Sequence, residues 1–508
     1  MDIKPCMKRF GFGHRDSKHI VVEQGGKLWL AFASEGAGTF MMSEDSHAAG
    51  LFEISTLYDG EDIPYTYSAT ASLVEITTEK GAVRIAIDVE ASALRIEGEG
   101  VGLRLDGKEA TRQLTTLNTA KGVSVNIGGG RYFFASRKGK MAFDDTWLLK
   151  EFHSITPVLD VAPENGKFDL IAYDLPADMA PPEITKTIDE CAELNAAELK
   201  AFSATLLPTP SEWDDLREKI AYLMWLSHRR QPDGAEVIVQ NKLRSPVTKA
   251  FTQSLVSLAF SDATTASEYI MALSAEGLPA QGFAVLRMFA RGAFQKVSRS
   301  TVFKLYDALN SQMLWWLENR TGDDPDLHFY AYRYEAESPT TKLFKAGEPV
   351  ASPDINAYII LLCEAAAKLS EHICITADAV KWRNRLNSQK KVLIANLWDG
   401  ETFAGMNIYT GEKSEADAPL QHMPLILGKM LPEGIAGKLA EKVGDDILDY
   451  DLGVFIVFGL YDAGYDEIAK RIVTAALEEV RAKGIHCPHY GAQLIALANS
   501  ILMQERGV

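Results

Sequence analysis

The feature that most constrains the fold of this chain is a change in hydrophobic periodicity near Pro210. From His19 to about Ala172, apolar and polar residues alternate in short runs such as Lys27-Leu-Trp-Leu-Ala-Phe32. After Pro210, apolar residues recur every three or four positions. Alternation is typical of strands with one buried face, whereas the longer spacing is typical of amphipathic helices. The chain therefore divides into a β part followed by an α part.

The β part is predicted to be an antiparallel β-sandwich that occupies residues 1–180. Glycine-containing turns at Gly25-Gly26, Asp59-Gly60 and Gly128–Gly130 separate the strand-like runs, and no helical crossover interrupts them. The predicted strands are 20–22, 27–32, 72–78, 82–89, 93–96, 122–127 and 168–172.

Residues 181–210 are predicted to form a helical linker, and residues 211–508 a domain of about a dozen helices. Six helical hairpins closed into a ring need this number, and a solenoid would need a similar one. The absence of a fixed sequence repeat favours the ring. The predicted helices are 211–226, 248–261, 263–275, 281–292, 299–319, 355–370, 376–397, 418–430, 434–443, 452–463, 466–483 and 490–504.

Composition excludes several classes of function. The chain of 508 residues carries a formal charge of -17, which would repel a nucleic-acid backbone. Its five cysteines include no Cys-x-x-Cys pair, so neither a disulfide framework nor a zinc site is indicated. No apolar run suits a leader peptide or a membrane span. We expect a cytoplasmic protein without metal or cofactor that binds a small molecule, in an oligomeric state that the sequence leaves open.

Six segments after Pro210 carry a combined pattern of aromatic, amide and acidic residues: Ser245-Pro-Val-Thr-Lys-Ala-Phe251, Leu278-Pro-Ala-Gln-Gly-Phe-Ala284, Trp315-Trp-Leu-Glu-Asn-Arg320, Ser352-Pro-Asp-Ile-Asn-Ala357, Asn396-Leu-Trp-Asp-Gly400 and Leu452-Gly-Val-Phe455. In this order they resemble the (α/α)6-toroid glycosidases, the clan that includes trehalases and glycoside hydrolase family 63. The resemblance implies a toroid and an inverting hydrolysis, in which a carboxylic acid and a carboxylate base lie roughly 6.5 to 9.5 Å apart.

The chain departs from the family pattern at the catalytic carboxylates. Where the family has Glu-Ser-Gly-x-Asp with its catalytic acid, this chain reads Glu337-Ser-Pro-Thr-Thr341. Where the family base is a Glu beside aromatic residues, the chain reads Gly484-Ile-His-Cys-Pro-His-Tyr490. The customary Trp-Asp before the second helix aligns with Val247-Thr248. The usual carboxylate positions are therefore not retained.

One interpretation is a glycoside hydrolase whose carboxylates have moved to other positions. Glu337 is then the first choice for the acid and Glu335 the second, while Asp354 or Asp451 is the base. The structural alternative for Glu337 is a residue that braces its loop. Asp354 follows Pro353 at the start of an apolar helix, where an acid also stabilises the helix terminus by its charge.

A second interpretation is a sugar lyase or epimerase that uses His489, Tyr490 and His422, since imidazole and phenol groups suit proton abstraction beside a carbonyl or carboxylate. Cationic side chains would then hold a substrate carboxylate, at Arg244, Lys249, Lys342 and Lys345. Packing or helix capping explains the histidines equally well.

A third interpretation is a carbohydrate-binding protein without catalysis. In all three cases the candidate substrate-binding residues are the amide, aromatic and basic side chains Gln281, Arg333, Asn356, Trp398, Gln421 and His422. Core packing is the simpler role for most of the aromatic ones. The sequence therefore predicts a β-sandwich followed by a toroid more firmly than it predicts a reaction.

Overall fold

The computed structural model describes residues 1–32, 50–107, 115–119, 121–127, 130–144, 157–175, 179–230, 236–238, 256–271, 277–336, 342–449 and 452–503. Two compact units emerge. The first comprises Met1–Ala204, Glu218–Arg229 and Val239–Val247, and the second comprises Thr205–Arg217, Arg230–Ile238 and Thr248–Val508. No helix in the described ranges is long and apolar enough to cross a membrane.

Sixteen strands lie in the described part of the first unit. In chain order they are β1 (Phe12–Gly13), β2 (His19–Gln24), β3 (Lys27–Phe32), β4 (Gly50–Tyr58), β5 (Glu61–Ile63), β6 (Thr66–Ala69), β7 (Val74–Thr77), β8 (Ala82–Asp88), β9 (Ala93–Glu99), β10 (Gly102–Asp106), β11 (Thr115–Thr119), β12 (Gly122–Ile127), β13 (Gly130–Lys138), β14 (Lys140–Asp144), β15 (Val158–Ala162) and β16 (Lys167–Tyr173). Each of the seven predicted strands coincides with one of these to within a few residues.

The strands form two eight-stranded antiparallel sheets. One has the order β1-β2-β3-β4-β10-β15-β14, with β5 paired to β4, and the other has the order β11-β12-β13-β16-β9-β8-β7-β6. Aromatic rings join the sheets: Phe52 lies 5.6 Å from both Tyr132 and Phe134, and all three are fully buried. Tyr132 also donates a hydrogen bond to the carbonyl of Ala31 across this interior. The prediction of an antiparallel β-sandwich is confirmed.

Twelve α-helices lie in the described ranges: α1 (Ile188–Ala204), α2 (Asp214–Leu226), α3 (Ala263–Met271), α4 (Gln281–Ala290), α5 (Arg299–Asn319), α6 (Pro353–His372), α7 (Thr376–Leu397), α8 (Ala418–His422), α9 (Glu433–Ala440), α10 (Gly453–Asp462), α11 (Asp466–Lys483) and α12 (Pro488–Leu497). The predicted helices 299–319, 376–397 and 466–483 match α5, α7 and α11 residue for residue. Most of the predicted helix 248–261 lies outside the described residues.

Helix α1 belongs to the first unit, although the sequence had assigned its residues to a linker. Ile188 and Cys191 pack against Ala86 of β8, and the Asn195 amide donates to the carbonyl of Ile87. The helix therefore covers the outer face of a sheet strand. The expected boundaries at 180 and 210 stay a prediction.

The predicted helix 418–430 is wrong in its second half, where α8 gives way to a 3-10 segment over Met423–Met430. Pro424 has no amide hydrogen to donate to an α-helical bond. Gly428 adopts a left-handed conformation with φ of 52°, which no regular right-handed helix contains. Pro424 therefore accounts for the end of α8, and the conformation of Gly428 is incompatible with an α-helix over the rest of the segment.

Helix α6 is buried along most of its length. Sixteen of its twenty residues are buried, and it packs against α4, α5 and α7. A helix that is apolar on all sides is suited to the centre of a helical assembly. Gly282 on α4 allows the closest approach, because a Cβ there would lie 2.6 Å from the Cα of Leu362.

A small antiparallel sheet lies between helices of the second unit, in segments for which the sequence predicted neither a helix nor a strand. Its strands are β19 (Phe329–Tyr330), β20 (Val350–Ala351), β21 (Ala404–Asn407) and β22 (Lys413–Glu415), paired in that order. The strands β17 (His228–Arg230) and β18 (Glu236–Ile238) precede it in the chain. Strands of two to four residues are too short to show an alternating pattern, so periodicity could not reveal them.

We expect Gly282→Ala to lower the free energy of unfolding by about 1 to 3 kcal/mol, because the added methyl group meets the backbone of α6 rather than a flexible side chain. Thermal unfolding followed by circular dichroism measures the change. The matched control is Gly434→Ala on α9, where nothing lies within 4 Å and alanine favours the helix. Equal stability of the two variants would contradict close packing of α4 on α6.

Candidate functional site

The start of α6 holds a buried carboxyl group. Ser352 has the extended backbone of an N-cap residue, Pro353 begins the helix, and Asp354 lies in its first turn. Asp354 is 2% exposed. Its Oδ2 accepts a hydrogen bond of 2.8 Å from the Tyr330 hydroxyl, and its Oδ1 accepts one from the Ser352 hydroxyl. The small sheet supplies this arrangement, because β19 ends at Tyr330 and β20 ends just before Ser352.

The electrostatics of Asp354 combine two opposing effects. Burial raises the pKa of Asp354 above its ordinary value, and the hydroxyl groups of Ser352 and Tyr330 act in the opposite direction because they stabilise the charged form. Burial is the larger effect. A carboxylate with a raised pKa is a stronger base than an ordinary aspartate. Backbone hydrogen bonds from Asp354 itself and Ile355 also stabilise the charged form.

Asn356, two residues further along α6, fixes the backbone of the strand that carries Tyr330. Its Oδ1 accepts from the amide of His328 at 2.9 Å, and its Nδ2 donates to the carbonyls of His328 at 2.9 Å and Ser352 at 2.8 Å. These three bonds use both amide hydrogens of the side chain. The geometry supports a positioning role for Asn356, whereas the sequence suggested a contact with substrate.

The side chain of His328 continues this polar network between α6 and α7. Its Nε2 lies 2.9 Å from Nε2 of Gln389, whose Oε1 accepts from the Cys363 thiol at 3.4 Å. An amide nitrogen can only donate, so this bond makes His328 Nε2 the acceptor. Burial, together with the charge of Arg385, lowers the pKa of His328 to about 3. The ring is therefore neutral at physiological pH.

Glu335 is engaged in an ion pair. Its carboxylate accepts from Arg320 Nη2 at 2.5 Å and from the amide of Ala331 at 2.7 Å. Next to it, the amide of Arg333 donates to Glu348 at 2.8 Å, and the Arg333 guanidinium lies 5.8 Å from the centre of the Phe344 ring. These contacts support a bracing role for Glu335.

Gln281, Gln421 and His422 lie at helix ends in the second unit. Gln281 is the first residue of α4 and is buried, and its Oε1 has no hydrogen-bond partner among the described residues. On α8, Gln421 Nε2 lies 3.5 Å from His422 Nε2. Burial, and to a lesser degree the charge of Lys442, lowers the pKa of His422 to about 4. Within the described part of the chain, His422 Nδ1 has no partner.

His489 and Tyr490 begin the buried helix α12. His489 Nε2 lies 3.0 Å from the carbonyl oxygen of Ile238, which can only accept, so Nε2 carries the proton and Nδ1 holds the lone pair. Burial lowers the pKa of His489 to about 4. The Tyr490 ring packs 4.4 Å from that of His486. Both His489 and His422 are therefore neutral imidazoles at pH 7.

Trp398 packs on its own hairpin. It follows α7, forms an isolated bridge with Phe403 and lies 5.0 Å from the Phe403 ring. Its contacts support the packing role that the sequence left open for the aromatic residues.

The described candidate residues occur as near neighbours in the sequence: Asp354 with Asn356, Glu335 with Arg333, Gln421 with His422, and His489 with Tyr490. Glu337 and Asp451, the other candidate carboxylates, lie outside the described residues, as do Arg244 and Lys249. Sequence reasoning missed Tyr330 and His328. No sequence pattern around either residue indicates its role, because the contact is with a distant part of the chain. Tyr330, for example, bonds to Asp354, which is 24 residues further along.

We expect Asn356→Ala to lower the free energy of unfolding by about 3 kcal/mol, because it removes three buried hydrogen bonds and leaves backbone groups of His328 unpaired. Chemical denaturation measures the loss. Asn396→Ala is the matched control, since Asn396 is only partly buried and makes a single bond to Val392 of its own helix. A loss no larger than that of the control would rule out the positioning role.

We expect the stability of the second unit to fall as the pH drops from about 6.5 towards 4. His422 and His489 have folded-state pKa values below the unfolded value, so the unfolded chain binds more protons in this window and gains stability relative to the folded protein. Replacing His422 with Gln should reduce the slope of the unfolding free energy against pH by up to about 1.4 kcal/mol per pH unit, which corresponds to one proton per molecule. Denaturation midpoints across this pH range test it, with the exposed His372→Gln as control. An unchanged slope for His422→Gln would contradict the depressed pKa.

No protein-family model matches the chain, and no curated protein matches its sequence. The structure is similar to a bacterial glucoamylase solved in complex with acarbose, with a TM-score of 0.56 and 11% identity over 98% of this chain and 94% of that one. It also matches a glycoside hydrolase family 63 mannosylglycerate hydrolase from Thermus thermophilus, with a TM-score of 0.46 and 12% identity over 55% of this chain and 99% of that one. The glucoamylase similarity covers both units and confirms the predicted fold class, an N-terminal antiparallel β-sandwich followed by an (α/α)6 toroid. The resemblance to toroid glycosidases thus holds at the level of the fold.

Proposed function

We propose that this protein is a glycoside hydrolase that acts on a small glycoside or oligosaccharide in the toroid. The observation that carries the proposal is the similarity to glucoamylase along nearly the whole chain, since it includes the sandwich as well as the helices. Function does not follow from fold alone, so the proposal also needs groups that can perform the chemistry. The start of α6 offers one such group.

Asp354 suits the role of the base that activates water. Its raised pKa increases the basicity of the carboxylate, and the bonds from Tyr330 and Ser352 fix its orientation. Glu337 is the proposed acid that protonates the leaving oxygen, and Asp451 is the alternative base. An inverting mechanism requires room for one water molecule between acid and base.

A sugar lyase or epimerase is the second candidate, and the two buried histidines favour it. His422 and His489 are neutral at pH 7, so one ring nitrogen of each holds a lone pair that can accept a proton. Such a base abstracts a proton from carbon beside a carboxyl or carbonyl group. Elimination from a uronide would leave an unsaturated product, which hydrolysis does not form.

The deciding experiment incubates the protein with α- and β-glycosides, including uronides, and follows both reducing sugar and the absorbance of an unsaturated uronate. We expect reducing sugar alone, abolished in Glu337→Gln and reduced at least a hundredfold in Asp354→Asn, since a catalytic proton transfer contributes roughly that much. Absorbance of the unsaturated product, lost in His489→Gln, would replace hydrolysis with elimination. No product in either channel would contradict both hydrolysis and elimination, and would leave epimerisation or sugar binding without catalysis.

Asp378→Asn is the matched control for Asp354→Asn. Asp378 also lies in the first turn of a helix, α7, and also accepts a tyrosine hydroxyl, from Tyr306 at 2.5 Å. It therefore reproduces the structural role of Asp354 without its deep burial. If both variants lose activity in proportion to their loss of stability, Asp354 is structural and the base must be another carboxylate.

A further inference from the structure

Two exposed tyrosine rings lie side by side just after β19. The rings of Tyr332 and Tyr334 are nearly parallel, with an interplanar angle of 8° and centres 5.4 Å apart. Tyr332 is 51% exposed and Tyr334 is 80% exposed. Two large aromatic side chains thus stack on each other while leaving most of their area open to solvent. Single exposed aromatic residues are common on protein surfaces, but an ordered, stacked pair is less so.

The backbone beneath these rings is held at three points. The amide of Ala331 donates to Glu335 at 2.7 Å, the amide of Arg333 donates to Glu348 at 2.8 Å, and Glu335 pairs with Arg320 at 2.5 Å. A rigid backbone lowers the entropy lost when a ligand settles on the rings. Tyrosine itself has few rotatable bonds and so adds little to that loss.

We propose that Tyr332 and Tyr334 form a stacking platform that binds one pyranose ring of an oligosaccharide; this inference rests on the proposed function. The C–H groups on one face of a pyranose pack against the flat face of an aromatic ring. The phenol hydroxyls at the ring edges donate to and accept from sugar hydroxyls. A platform with an apolar face and polar edges is complementary to a pyranose, which has an apolar C–H face and hydroxyl groups around its edge.

The position of the platform in the chain assigns it to the same substrate as Asp354. Tyr330, which donates to Asp354, is two residues before Tyr332 and four before Tyr334. At no more than about 3.6 Å per residue, the platform lies within about 14 Å of Tyr330 along the backbone. We therefore assign it to a sugar unit beyond the one that is cleaved, so that it favours longer oligosaccharides over short ones.

The experiment measures binding of linear malto-, cello- and xylo-oligosaccharides of increasing length by isothermal titration calorimetry. We expect affinity to rise with length in one of these series. Tyr332→Ala and Tyr334→Ala should each weaken binding of the longest member by about three- to tenfold, the size of one aromatic stacking contact. The shortest member should lose less. Tyr334→Trp, which keeps a flat ring, should restore the affinity.

The matched control is Tyr409→Ala. Tyr409 is also 80% exposed and also lies on a fixed turn, where its amide donates to Asn407 at 3.0 Å, but no ring of the described residues stacks on it. Affinity equal in the Tyr334→Ala and Tyr409→Ala variants would overturn the platform. So would the absence of binding in all three series. Binding that depends on Tyr332 and Tyr334 in a protein that releases no sugar would uphold the platform and refute hydrolysis, so the two proposals fail separately.

Discussion

Burial of the first turn of α6 is the constraint on which the surrounding structure depends. A helix start exposes amide groups and a partial positive charge, and here the first turn is buried. Ser352, Asp354 and Asn356 must therefore find their partners within the protein. The partners are the Tyr330 hydroxyl and the backbone of His328, both far away in sequence. The start of α6 and the segment around β19 therefore stabilise each other.

The small four-stranded sheet is the consequence of this requirement. Its first two strands contain only two residues each, which is too few to be stable alone. The side chains of α6 supply what the short ladder lacks, because Asn356 bonds to the residue just before β19. The same segment continues into the anchored turn that carries Tyr332 and Tyr334. One rigid backbone thus connects the buried carboxyl group with the exposed aromatic pair.

Buried titratable groups show how this interior differs from water. His328, His422 and His489 all have pKa values lowered mainly by desolvation, and Asp354 has one raised by the same cause. Both directions favour the neutral form, since charge is costly where water is excluded. The fold by itself does not select a reaction for these groups.

The sequence by itself determined the order of the β and α parts and the positions of the longest elements. Periodicity located α5, α7 and α11 residue for residue and the main sandwich strands, because long amphipathic patterns depend only on neighbouring residues. Only the tertiary structure decided the surroundings of the candidate site. The pairing of Tyr330 with Asp354, the full use of the Asn356 amide and the ion pair of Glu335 arise from contacts between distant residues. Periodicity carries no information about such contacts, because burial and hydrogen bonding are decided only when the elements pack together.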